Sequence, residues 1–361
     1  MYIYLLYILI CMLLAMAANI FSSIKPSSTK AANNFICFVA LVVIVFIAGI
    51  RDYSVGADTK TYLSALNYYS SFPQGQILDL PLVWPYDFEP GYFLFTKLCA
   101  FFQLSDTAFL FVVAVAIYVP VFLLIKDYSS DMFLSVVVYF GIGLFAYSLG
   151  IFRQMIALSI CLVGLRFLLN GNNLLFTIFV LIAAAFHTSA LMFGLLWFYN
   201  KFPLKLVAKW SIPISFICLL FGREIALLIV RFFPMYSTYI GSADDIRGGT
   251  YVMYALLILL MLLSIRLISC FENRGNRISE IIKLSIWALC LALCVQAVSY
   301  SMGLMGRSLG YYTVFLIILV PELIKQLFGK HGSILALYAF VPIFLVLGLS
   351  SLVSFPYATI I

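Results

Sequence analysis

Apolar runs of about 20 residues recur from one end of this 361-residue chain to the other, each long enough to cross a bilayer as a helix. The runs lack period-2 alternation and are too long for strands, which argues against a β-barrel. Hydrophobic residues make up 65% of the chain and charged residues 10%, so a charged cluster must reach water or find partners. No polar stretch is long enough for a separate globular domain. The sequence therefore predicts an all-α fold, a polytopic integral membrane helical bundle. It forms a single transmembrane domain over residues 1–361, with about 12 transmembrane helices.

Spans are expected near 2–23, 35–50, 107–125, 132–150, 152–169, 172–186, 188–200, 207–222, 250–268, 282–302, 307–325 and 333–353. The first could pass for a signal peptide, with Ala15-Met16-Ala17 as cleavage site, but it lacks a basic n-region and reads as a retained span. The apolar segment 90–104 is short and reads as a re-entrant or interfacial helix on the outer side. This threading leaves Arg51, Lys60, Lys97, Arg153, Arg223, Arg231, Arg247 and Arg307 outside. The other 13 of the 21 Lys and Arg residues then face the cytoplasm, as the positive-inside rule asks, and both termini face out.

The outer loops fall near 51–106 and 223–249. The second opens on an amphipathic stretch, Arg223 to Phe233, suited to the membrane surface, and continues through Tyr236, Tyr239, Asp244, Asp245 and Arg247. Aromatic rings beside carboxylates suit sugar faces and sugar hydroxyls; they equally suit an interfacial aromatic belt.

The eight cysteines all lie in apolar segments, with neither zinc spacing nor a disulfide framework, and read as small core hydrophobes. The chain has no P-loop, no dinucleotide fingerprint and no basic stripe interleaved with aromatics. No metal, no cofactor and no nucleic-acid partner is expected.

Five polar constellations interrupt the oil. Arg51 ends the second span and Asp58 follows seven residues later, with Val55-Gly56 as a turn between them. They form either a juxtamembrane salt bridge or a functional pair. Glu89-Pro90-Gly91-Tyr92 opens the 90–104 segment. Its acid suits the positive end of a helix dipole, or accepts a sugar hydroxyl, or acts as a base. Arg153-Gln154 sits at the outer tip of a tight hairpin between 132–150 and 152–169. There an arginine fork either anchors in the headgroups or binds phosphate bidentately. His187-Thr188-Ser189-Ala190 breaks another apolar stretch. His187 is a satisfied core residue or a general base, which Ser189 and Thr188 could orient. Arg307, ahead of Tyr311 and Tyr312, snorkels to headgroups or forms a second phosphate clamp. The other histidine, His331, falls in a basic inner loop. Arg51, Asp58, Glu89, Arg153, His187 and Arg307 all map to the outer face under one threading, against the positive-inside trend.

Arg51…Val55-Gly56-x-Asp58-Thr59…Tyr62, Glu89-Pro90-Gly91-Tyr92, Arg153-Gln154…Ala157, His187-x-Ser189-Ala190 and Arg307…Tyr311-Tyr312 occur in the order and at the spacings of the EpsG family of bacterial membrane proteins. The chain resembles that family, which belongs with the Wzy-type polysaccharide polymerases. The resemblance implies a GT-C-like helical fold in the bacterial inner membrane, with its active site facing the periplasm or cell exterior. It implies polymerisation of O-antigen, capsule or exopolysaccharide repeat units carried on undecaprenyl pyrophosphate. Partners would be that lipid-linked oligosaccharide and the bilayer, with chain-length regulator and flippase proteins as further candidates.

On that reading Arg153 and either Arg51 or Arg307 neutralise the departing pyrophosphate. Asp58 is the first choice of base, with His187 or Glu89 next, while Gln154, Ser189 and Tyr92 complete the substrate-binding set. Rivals are a ligase that moves finished glycan, a non-enzymatic transporter or flippase, and a structural subunit of a synthesis complex.

Overall fold

The computed structural model describes residues 6–11, 13, 29–82, 86–232 and 251–352, and among these the regular structure is helical, with no strand. The expected first span, 2–23, and the loop residues Tyr236, Tyr239, Asp244, Asp245 and Arg247 lie largely or wholly outside the described residues. Two compact units follow from the packing: residues 1–191 with 337–361, and residues 192–336.

In the first unit, helices α1 (Thr29–Gly49), α2 (Thr59–Ser70), α3 (Gln74–Ile77), α4 (Pro90–Phe101), α5 (Asp106–Tyr128), α6 (Met132–Gly141), α7 (Leu144–Ser148), α8 (Phe152–Leu169) and α9 (Asn173–Phe186) succeed one another. A 3-10 helix, Thr188–Phe198, follows. Local chemistry sets several of the starts. Ser105 accepts from the Ala108 amide at 3.3 Å and Asp131 from the Leu134 amide at 3.0 Å. Asn172 accepts from the Leu175 amide at 3.1 Å. Each such cap satisfies an amide that the helix itself leaves orphaned. Helix α8 packs between α5 and α9, α5 also carries α1, and the short α4 lies against α2 and α9.

In the second unit, helices α10 (Leu204–Leu220), α11 (Gly222–Phe232), α12 (Tyr251–Asn273), α13 (Glu280–Ser299), α14 (Gly303–Ser308) and α15 (Gly310–Thr313) surround α13, the most enclosed of the long helices. A last helix, α16 (Leu316–Leu352), is interrupted at Gly329.

Among the described residues, four helices are long and apolar enough to cross a membrane: α5, α8, α12 and α13. The number rises to six if two bent pairs each count as one span. One pair is Leu204–Leu220 with Gly222–Leu228, bent by 79°, so the amphipathic α11 turns away from the span before it. The other is Met305–Thr313 with Leu316–Gly329, bent by 50°. Outward faces of these helices stay apolar: Val112, Val115, Ile214, Ile217, Leu259 and Leu262 are exposed. Lipid, rather than water, satisfies such faces.

The structure refines several expected spans. Residues 132–150 are two helices, not one, because Gly143 takes φ +80° and ends the first run. A hydropathy window averages over that break. The expected span 188–200 is a 3-10 helix over Thr188–Phe198, and 307–325 begins in two single-turn helices. The segment 90–104 is a 12-residue α-helix, too short to cross the hydrocarbon core unaided.

Candidate functional site

The site is assembled by two close backbone approaches. In the first, the Val55–Asp58 turn lies against Leu149–Gly150. Gly56 has φ +98°, and a Cβ added there would meet Gly150 Cα at 2.7 Å and collide with the Leu149 carbonyl. Thr59 bolts the contact, donating its hydroxyl hydrogen toward the Val55 carbonyl at 2.7 Å and the Leu149 carbonyl at 3.0 Å. In the second, Gly91 in the first turn of α4 abuts the end of α9, where a Cβ would meet the Ala185 carbonyl oxygen at 2.8 Å. The first contact fixes the chain just ahead of Arg153. The second fixes Glu89 opposite His187. Gly56→Ala is therefore expected to lower stability by at least about 2 kcal/mol, from the left-handed backbone and the collision together. A thermal melt of the purified variant in detergent measures it.

Glu89 is the hub. Its Oε2 accepts from Arg153 Nη1 at 2.6 Å, and its Oε1 meets His187 Nδ1 at 2.7 Å. All three side chains are part-buried, with 18% exposure for Glu89, 26% for Arg153 and 27% for His187, so the triad is enclosed yet reachable. Glu89 occupies the N-cap of α4 ahead of Pro90, yet its side chain makes no cap hydrogen bond. The carboxylate keeps its place at the positive end of the helix and also serves two cationic or hydrogen-bonding partners on other helices.

Burial alone would raise the carboxyl's pKa. The His187 hydrogen bond and then the Arg153 charge outweigh burial and pull it from the ordinary 4.5 down to about 2. The carboxylate is thus ionised at neutral pH and can only accept. His187 Nδ1 therefore donates to it, and Nε2 is the ring nitrogen left to face other partners. Because the folded value lies below the unfolded one, this group's contribution to stability is present above pH 4.5 and fades as the pH falls towards about 2. Glu89→Gln should flatten that limb of an acid-unfolding curve, followed by circular dichroism.

Aromatic rings wall the triad. Arg153 lies over the Phe88 ring at 5.3 Å, and Arg51 over Phe152 at 5.1 Å. Tyr62 stacks on Phe152 with centroids 4.7 Å apart and tilts against Tyr92 at 5.1 Å. Burial pushes the Tyr62 phenol up to about 12, against the pull of the nearby Arg153 charge. Arg153 is the second residue of α8, whose N-cap, Ile151, offers no side-chain acceptor to the first-turn amides. Positive charge and helix N-terminus thus coincide, an arrangement that favours an anion.

The remaining expected residues distribute as follows. Arg51 is buried and donates to the Ala48 carbonyl. Asp58 is the half-buried N-cap of α2, one turn before Tyr62. Tyr92 is buried within the aromatic wall, and Gln154 is buried in the first turn of α8. Ser189 is half-buried at the start of the 3-10 helix. Arg307 belongs to the second unit, exposed in the last turn of α14. Phe88, Phe152 and Gly150 were not singled out in the sequence. Their only signal is adjacency to Glu89 and Arg153. Among the described residues no three His, Cys, Asp or Glu side chains gather as metal ligands would, and all eight cysteines are free thiols.

Helices with lipid-facing apolar surfaces and an enclosed acid–arginine–histidine cluster define a multi-pass membrane protein with a charged site. The chain belongs to the EpsG family, whose model matches residues 34–359. No curated protein and no solved structure matches it significantly.

Proposed function

We propose that the protein polymerises undecaprenyl-pyrophosphate-linked oligosaccharide repeat units into O-antigen, capsule or exopolysaccharide. The reaction runs at the outer face of the bacterial inner membrane, in a Wzy-type, GT-C-like bundle of about 12 spans in which short apolar helices complete crossings together. The observation that carries the reading is Glu89 joining Arg153 to His187.

An acceptor hydroxyl oxygen attacks the anomeric carbon of the donor glycan. The C–O bond to the carrier pyrophosphate breaks, and its electron pair leaves with the pyrophosphate. Arg153 and the first-turn amides of α8 stabilise that charge, through guanidinium N–H groups that Glu89 does not engage. The acceptor proton passes to His187 Nε2. Glu89 holds the ring's Nδ1–H and supports the imidazolium that forms, so it positions rather than abstracts. This assigns the base to His187 ahead of Asp58, whose place beside Tyr62 suits contact with sugar hydroxyls. Arg51 supports the wall through Phe152, and Gln154, Ser189 and Tyr92 stay candidate substrate contacts. Arg307 stays a candidate second phosphate contact.

Purified protein in proteoliposomes, given carrier-linked repeat units, should release one carrier pyrophosphate per bond and give a ladder of glycan lengths. Transport without bond formation would instead favour a flippase. Long polymer that accumulates on the carrier, with loss of transfer to a final acceptor in the null strain, would favour a ligase.

A further inference from the structure

The triad does not end at Glu89. Phe88, against Arg153, lies 6.1 Å from Tyr86, and Tyr86 lies 6.0 Å from Tyr68. A file of rings therefore leads from the charged cluster to two half-exposed tyrosines. The Phe88 amide donates to the Tyr86 carbonyl at 2.8 Å, a tight bend that leaves Asp87 exposed at its tip, two residues from Glu89.

The neighbouring loop is held firmly despite lacking long regular structure. Lys97, 4% exposed, donates to the Leu78 carbonyl and, at 2.8 Å, to the Leu80 carbonyl. Tyr69 donates its hydroxyl hydrogen to the Pro81 carbonyl at 3.3 Å. Lys97 thus fixes two carbonyls of the 78–80 stretch, and Tyr69 ties Pro81 to the helix that carries Tyr68.

Resting on the polymerase reading, we infer that Tyr86, Tyr68 and Asp87 form a glycan subsite beside the reaction centre. The ring faces take the C–H face of a pyranose and the Asp87 carboxylate takes its hydroxyls. Aromatic rings pair an apolar face with a polar edge, as a sugar does, and the file's continuity with the triad sets the occupant as the saccharide of the same substrate.

The test is binding without turnover. The probe is the lipid-free repeat-unit oligosaccharide cut from the host's own polysaccharide, titrated calorimetrically into the full chain in nanodiscs. Wild type should bind. Tyr86→Ala should bind at least about tenfold more weakly, and Tyr86→Phe within about twofold of wild type. Asp87→Asn and Tyr68→Ala should each weaken binding, and they carry the test if Tyr86→Ala does not fold. Equal affinities for wild type and these variants, as an aromatic belt would give, overturn the subsite, as does a wild type that binds no oligosaccharide. Arg153→Lys separates the two ideas. It should lose polymerisation and keep oligosaccharide binding. Full polymerisation by Arg153→Lys, with binding still weakened by Tyr86→Ala, would sink the proposed chemistry and leave the subsite standing.

Discussion

Replacing Arg153 by lysine stops polymer formation on this account, although a positive charge is kept and the protein still accumulates in the membrane. The guanidinium does three things at once. It donates to Glu89 at 2.6 Å, lies over the Phe88 ring at 5.3 Å and opens α8 with further donors. An ammonium is a compact point charge on a flexible stem and cannot fork between a carboxylate and a pyrophosphate. Loss of an electrostatic contact to the departing charge costs about 100- to 1000-fold in rate. Gel analysis of carrier-linked glycans should show single repeat units persisting and the ladder gone. Arg153→Ala should give the same phenotype with lower protein levels, because Glu89 is then part-buried with one partner fewer. A wild-type ladder from either variant would count against the assignment.

Glu89→Gln is the second large effect. The amide has nearly the shape of the carboxylate, so the bend at Glu89, Pro90 in the first turn of α4 and the Gly91 contact persist. What changes is charge and choice. A neutral amide can offer either its oxygen or its NH2 to His187 Nδ1, so the ring is no longer held in one tautomer, and the imidazolium formed in the reaction loses its counter-charge. Comparable losses of an orienting carboxylate cost on the order of 1000-fold or more in turnover. Steady-state assays should show the fall in kcat, with KM for the lipid-linked substrate little changed. A variant that raises KM alone would make Glu89 a substrate contact instead.

Much of the fold is legible in the apolar runs, because a bilayer demands helices of a set length and α5, α8, α12 and α13 meet that demand. Hydropathy does not see every backbone break. Gly143 divides 132–150 while the surrounding residues stay apolar; the break at Gly329 is legible, because it falls in the basic stretch Lys325–His331 between two expected spans. The site is legible in part for a similar reason. Glu89, Arg153 and His187 stand out as polar residues in oil, but they lie 64 and 98 positions from the hub. Nothing local announces that they meet. Glu89 even carries a complete local explanation as a helix-start acid, to which its geometry adds two distant partners. Phe88 and Phe152 carry no signal of their own and Tyr62 enters only as part of a motif, although their rings gather beside the arginines. The Gly56–Gly150 contact is half visible: the turn can be read from Val55-Gly56, but its partner strip at Leu149–Gly150 cannot.

The claim beneath all of this is that Glu89 and His187 act as one unit. Single-turnover rates of polymer extension for Glu89→Gln, His187→Gln and the double variant test it most directly. The account predicts that the double variant is no slower than the worse single one, since residues acting together do not add. A double variant whose loss equals the product of the two single losses would mean that the acid and the imidazole work independently, and the shared site would have to be abandoned.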